Sequence, residues 1–125
     1  MKAVVHKHFL LRAEVNNPLT NKNKGIKFLT RLIKKIKMQV MYGPVATYCK
    51  QEGNKGMTAF AIIETSHIVM HIWDESKPGL VQLDVYSCAP FEPKDVIDHL
   101  NENFDVVKMD YKFIDRKTKF TEVKS

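Results

Sequence analysis

The chain has 125 residues, 44% hydrophobic and 27% charged, with a formal net charge of +6. These proportions are those of an ordinary soluble globular protein of one domain, residues 1–125; no run reaches the roughly 18 apolar residues of a membrane-spanning helix, and the N-terminus lacks a signal-peptide h-region. Two cysteines, Cys49 and Cys88, are too few for a disulfide framework and lack C-x-x-C spacing, so a reducing cytoplasm is expected.

In chain order, "AVVHKHFLLRAEV" (3–15) is apolar with partial alternation and predicts a strand. Leu29, Leu32, Ile33 and Ile36 recur at helical spacing, which predicts an amphipathic helix over 26–37. Its polar side carries Lys27, Arg31, Lys34 and Lys35. No nucleic-acid motif accompanies that basic side, so it reads as a solvated face, with neither nucleic acid nor membrane as partner. "MQVMYGPVATYC" is extended with a bend at Gly43-Pro44, and "KQEGNKG" is a loop. "TAFAIIE" (58–64) and "HIVMHIW" (67–73) are short strands, "DESKPG" is a turn, and "LVQLDVYS" (80–87) alternates as another strand. Pro93 opens a helix over 93–104 whose apolar face is Val96, Ile97, Leu100 and Phe104. "VVKMDYKF" alternates again, and the tail after Arg116 is polar and expected to fray. The order βαββ-ββαβ, with one apolar face on each helix, predicts the α+β class: a two-layer sandwich of two helices on a mostly antiparallel sheet.

Loop lengths imply registers for two hairpins. Around "DESKPG", Cys88 falls opposite Thr65 and beside Ser66; around the turn at Thr65-Ser66, Thr58 falls opposite His71. Ser66 and His71 are five residues apart, on the order of 16 Å along a straight strand. Ser66 with Cys88 and Thr58 with His71 thus form two separated pairs, which a two-fold dimer could bring together.

Other chemistries fit less well. His67 and His71 have the H-x-x-x-H spacing of a helical zinc site, but on a strand they are about 13 Å apart and cannot share an ion. His6 and His8 share a strand face without a neighbouring third ligand, so no metal is expected. A G-x-S-x-G elbow is absent, and "GNKGMT" lacks Walker spacing.

The span "GMTAFAIIETSHIVMHIWDESKPGLVQLDVYSC" resembles the prokaryotic-type S-adenosylmethionine decarboxylases, pyruvoyl enzymes made as proenzymes. "TSHIVMHIWDE" and "LDVYSC" match that family's central motifs in order and near spacing, and the flanking elements fit its layout. The resemblance implies self-cleavage between Thr65 and Ser66 into a β chain, 1–65, and an α chain, 66–125. Ser66 would become a pyruvoyl group that forms a Schiff base with S-adenosylmethionine, yielding the aminopropyl donor of spermidine synthesis. It further implies His71 as the base taking the Ser66 α-proton, and Thr58, in place of a family serine, as the hydroxyl steadying the cyclic intermediate. Cys88 matches the proton donor to the substrate carbon, Trp73 a stacking residue for adenine, and Glu75 an acceptor for ribose hydroxyls. His67 receives no chemical role.

The chain departs from the family at four places. Thr65 replaces a glutamate, "WDE" replaces W-P-E, Ala89 replaces a glycine, and the upstream H-x-F-x-P-x-G segment is missing, leaving Tyr48 as the nearby aromatic. Two alternatives follow: a pyruvoyl-dependent decarboxylase of arginine or ornithine, and an unprocessed, non-catalytic regulatory homologue. Trp73 and Glu75 favour S-adenosylmethionine.

Overall fold

The computed structural model describes residues 4–123. Strand β1 (Lys7–Val15) alternates strictly, burying Phe9, Leu11, Ala13 and Val15 on one face. It begins later than the sequence pattern implies. Residues 4–6 lie outside the strand, although Val5 N–H still donates to Cys88 C=O at 3.0 Å, and Ala3 is outside the described residues.

Helix α1 (Lys22–Lys35) starts four residues before the predicted helix, because Asn21 caps it: the Asn21 side chain accepts a 3.1 Å bond from Lys24 N–H. Its buried side comprises Gly25, Phe28, Leu29, Leu32 and Ile33, while Lys34 and Lys35 complement the dipole at its C-terminal end. Gly25 lies against Met57; a Cβ there would meet the Met57 methyl at 2.7 Å.

Strands β2 (Val40–Cys49), β3 (Gly56–Ile63), β4 (Ser66–Trp73) and β5 (Gly79–Ser87) follow as consecutive antiparallel neighbours. Helix α2 (Pro93–Asn103) opens on Pro93, where a missing N–H costs nothing, and buries Val96, His99 and Leu100. Strand β6 (Val106–Asp115) then returns beside β1. The tail expected to fray instead turns back. β7 (Thr121–Glu122) pairs with β6 through Ile114↔Glu122 and Asp115↔Thr121. Residues 124 and 125 lie outside the described residues.

The seven strands form one antiparallel sheet in the order β2-β3-β4-β5-β1-β6-β7. The architecture is the expected α+β sandwich, with β7 added. Apolar residues of alternating parity, such as Met57, Ala59, Ile68, Met70, Ile72, Leu83 and Phe9, pack with Phe28, Leu32 and Leu100 of the helices into one core. His99 is buried in it, and its Nε2–H donates to Phe28 C=O at 2.9 Å. Burial holds its pKa below the usual histidine value. No described helix is long and apolar enough to cross a membrane.

Candidate active site

Met57 and Ile72 face the helices, so Thr58, His71 and Trp73, of the opposite parity, belong to the other face of the sheet. The β3–β4 ladder pairs Thr58 with His71, as the loop length implies, and Thr58 Oγ1 lies 2.9 Å from His71 Nδ1. The His71 and Trp73 rings are 5.7 Å apart between centroids. These residues, with Cys49, Asn54, Gly56, Met57 and Ile72, line a cleft of about 260 Å³. A larger hollow of about 460 Å³ lies elsewhere, over β1, β5 and β6, and contains none of the candidate residues.

The loop between β2 and β3 folds over the end of this cleft. Trp73 Nε1–H donates to Asn54 Oδ1 at 2.8 Å, and the Glu75 carboxylate accepts Gly53 N–H at 3.2 Å and Lys55 N–H at 3.1 Å. Those two backbone bonds, Lys55 first, hold the Glu75 carboxyl below its ordinary pKa. Each oxygen keeps a further lone-pair site for a ligand hydroxyl. Tyr48, the aromatic next to this loop, donates its hydroxyl to Asp74 at 2.7 Å, which raises its own pKa.

At the other end of β4 the chain turns through Glu64 and Thr65, and Ile63 pairs with Ser66 across the turn. Ser66 has φ +147°, a region that L-residues other than glycine seldom enter. The β4–β5 ladder ends on Ser66↔Ser87, the register implied by the "DESKPG" turn. One residue on, Cys88 N–H donates to the Thr65 carbonyl at 2.7 Å. Ser87 is fully buried, accepts Ala89 N–H at 3.0 Å and donates to Thr65 Oγ1 at 2.9 Å, while Thr65 Oγ1 donates to Met38 Sδ at 3.2 Å.

The fold therefore joins Thr58 to His71 and Trp73, and Thr65 and Ser66 to Cys88. Within one chain the two groups stay apart, five residues along β4, or about 16 Å. His67 packs against His8 and Tyr86, and its pKa is lowered by burial and then by the nearby His8. Among the described residues no group of three or more His, Cys, Asp or Glu side chains could hold a metal ion. Sequence reasoning missed Ser87, the Cys88 N–H and Asn54. Only Ser87 left a signal, since it shares parity in β5 with the core residues Val81, Leu83 and Val85.

Residues 11–117 match the S-adenosylmethionine decarboxylase family, which is most of the chain. The chain belongs to that family. Two curated relatives are S-adenosylmethionine decarboxylase proenzymes of Pyrobaculum. The protein of Pyrobaculum arsenaticum is 36% identical over 64 residues, and that of Pyrobaculum islandicum is 38% identical over 64 residues. Each match covers 50% of this chain and 50% of the relative, so the chain spans about half the length of the curated relatives it matches. The crystal structure of the adenosylmethionine decarboxylase from Aquifex aeolicus has the same fold, with a TM-score of 0.68 at 18% identity, over 99% of this chain and 100% of that one.

Proposed function

We propose that this family member is a self-processing enzyme that removes the carboxyl group of S-adenosylmethionine, using a pyruvoyl group made from its own Ser66. The observation that carries the reading is the Thr65–Ser66 peptide, with Ser66 at φ +147° and the preceding carbonyl on the Cys88 N–H. Such a backbone costs on the order of 1–3 kcal/mol. Cleavage releases that strain.

In the first step the Ser66 Oγ bonds to the Thr65 carbonyl carbon, and charge grows on the oxygen facing Cys88 N–H. The C–N bond then breaks and the hydroxyl proton passes to the freed nitrogen, so amide becomes ester with no atom gained or lost. His71, its ring held by the Thr58 hydroxyl, takes the Ser66 α-proton as the Thr65 carboxylate departs. The resulting dehydroalanine adds water and releases ammonia, leaving a β chain of 1–65 and a pyruvoyl-headed α chain of 66–125. The pyruvoyl carbonyl supplies an electron sink for the carbanion left when carbon dioxide departs. Trp73 stacks on the adenine, Glu75 accepts from the ribose hydroxyls, and the Cys88 thiol returns a proton to the substrate carbon. Two free thiols, Cys49 and Cys88, suit a reducing cytoplasm.

Because Ser66 and His71 are about 16 Å apart along β4, each active site is shared across a two-fold dimer. One protomer gives Ser66 and Cys88, and its partner gives Thr58 and His71. Ser66→Ala and His71→Ala should each stay uncleaved alone, whereas co-expression should yield mixed dimers that cleave part of the Ser66-bearing chain. Mixed dimers without cleavage would refute the shared site.

Intact mass and carbon dioxide release test the whole reading. Two fragments, a hydrazine-reactive α chain and carbon dioxide from carboxyl-labelled S-adenosylmethionine are expected. A mass that stays at 14.5 kDa after prolonged incubation refutes processing. Carbon dioxide from arginine or ornithine, but none from S-adenosylmethionine, refutes the substrate.

A further inference from the structure

Ser87 is one of two buried polar residues among those described, and it sits across the ladder from Ser66. A buried hydroxyl left without a hydrogen-bond partner is costly, and Ser87 uses both its donor and its acceptor. One of its bonds is local: Ala89 N–H to Ser87 Oγ, a cap on the end of β5. The other crosses to a different strand end and reaches the side chain of Thr65, whose carbonyl carbon is the atom to be attacked.

The protons can be assigned one by one. Ser87 has a single hydroxyl proton, and it goes to Thr65 Oγ1 at 2.9 Å in preference to Met38 Sδ at 3.9 Å. The Thr65 proton goes to Met38 Sδ at 3.2 Å. The order runs from Ala89 N–H to Ser87, to Thr65, to sulfur. Among the described residues no hydrogen bond joins either hydroxyl to Ser66, so the part the pair plays is to position the peptide.

We infer that Ser87 is a positioning residue for self-cleavage: its buried hydroxyl fixes the Thr65 side chain so that the Thr65 carbonyl stays on the Cys88 N–H. The inference rests on the proposed processing at Thr65–Ser66. Thr65 is held twice, by its carbonyl from Cys88 and by its side chain from Ser87. Two points of attachment remove the rotation about the Thr65 backbone that a single hydrogen bond allows. The carbonyl oxygen then becomes the oxyanion without having to find its donor. The β-branched hydroxyl of Thr65 fits between a buried serine and a methionine sulfur.

The test is the cleavage rate of freshly synthesised chain. Ser87→Ala and Thr65→Val should each cleave on the order of 10–100-fold more slowly than wild type, the loss expected from a displaced reacting group. Because both act through one hydrogen bond, the double variant should be no slower than the slower single variant. Ser87→Thr and Thr65→Ser, which keep the hydroxyls, should restore most of the rate. A merely structural serine would give additive losses that follow Tm, with no rescue, and that result overturns the inference. So does wild-type cleavage speed in Thr65→Val, which is the deciding variant if Ser87→Ala does not fold. An intact wild-type chain removes the processing reading and this inference together; a cleaving wild type with equally fast variants removes this inference alone.

Discussion

Replacing Gly56 with alanine probes how closely β3 lies on β4 beside Trp73. Gly56 opens β3 opposite Trp73, and an added Cβ would lie 1.8 Å from the Ile72 carbonyl oxygen, 2.8 Å from its carbon and 3.0 Å from Trp73 Cα. Side-chain Cβ atoms essentially never approach within 3.0 Å, so more than about 1 Å must open between two hydrogen-bonded backbones. No flexible side chain can yield instead. Overpacking of this kind costs about 1–3 kcal/mol, offset by about 0.4–1 kcal/mol from the stiffer unfolded chain. The midpoints leave a net loss of about 1 kcal/mol, which lowers Tm by roughly 3–6 °C at this chain length. Trp73 is the only tryptophan, so its emission reports on this spot alone. Thermal melts should show the lower Tm, and Trp73 emission should shift to the red as its bond to Asn54 loosens. Gly53→Ala separates the two causes: its site is open, so a loss there reports the backbone at φ +87° and not close packing. A Gly56→Ala protein with wild-type Tm and emission would refute the close approach.

Three further outcomes are expected. The pKa of His99 is lowered in the fold, so the unfolded chain binds the extra proton first; the stability from neutral His99 is present above about pH 6.5 and lost as pH falls toward the folded value. His99→Gln, which keeps a donor for Phe28 C=O, should flatten the fall of Tm between about pH 7 and 5, and an unchanged slope would exonerate His99. The Glu75 carboxyl has a lowered pKa, so its hold on the 50–55 loop is present above the usual carboxylate range and lost as pH falls through the folded pKa. Glu75→Ala should speed tryptic cleavage at Lys50 and Lys55 at neutral pH, and equal digestion rates would show that the carboxylate does not hold the loop. Asn21→Ala removes the α1 cap and should cost about 1 kcal/mol in urea unfolding, with the m-value unchanged.

Local chemistry was enough for much of this molecule. Period-two alternation marked β1, β5 and β6, Pro93 marked the start of α2, and the two turns set both registers, Thr58 to His71 and Ser66 to Ser87. A turn of known length leaves little choice of partner, so those pairings are decided by neighbours in sequence. The start of α1 was hidden because its first turn, Lys22 to Gly25, is polar and holds a glycine; it is helical because Asn21 caps it and Gly25 lets the helix approach Met57. β7 has two residues and no pattern of its own, and it exists because β6 offers an edge. The insertion of β1 between β5 and β6 joins residues far apart in the chain, which no local period encodes. The same holds at the candidate site. The residue types at 58, 65, 66, 71 and 88 were legible as a motif. The Cys88 N–H on the Thr65 carbonyl and the Ser87 hydroxyl on the Thr65 side chain were not, because a backbone donor has no letter and a hydrogen bond's direction is fixed only when the strands are packed.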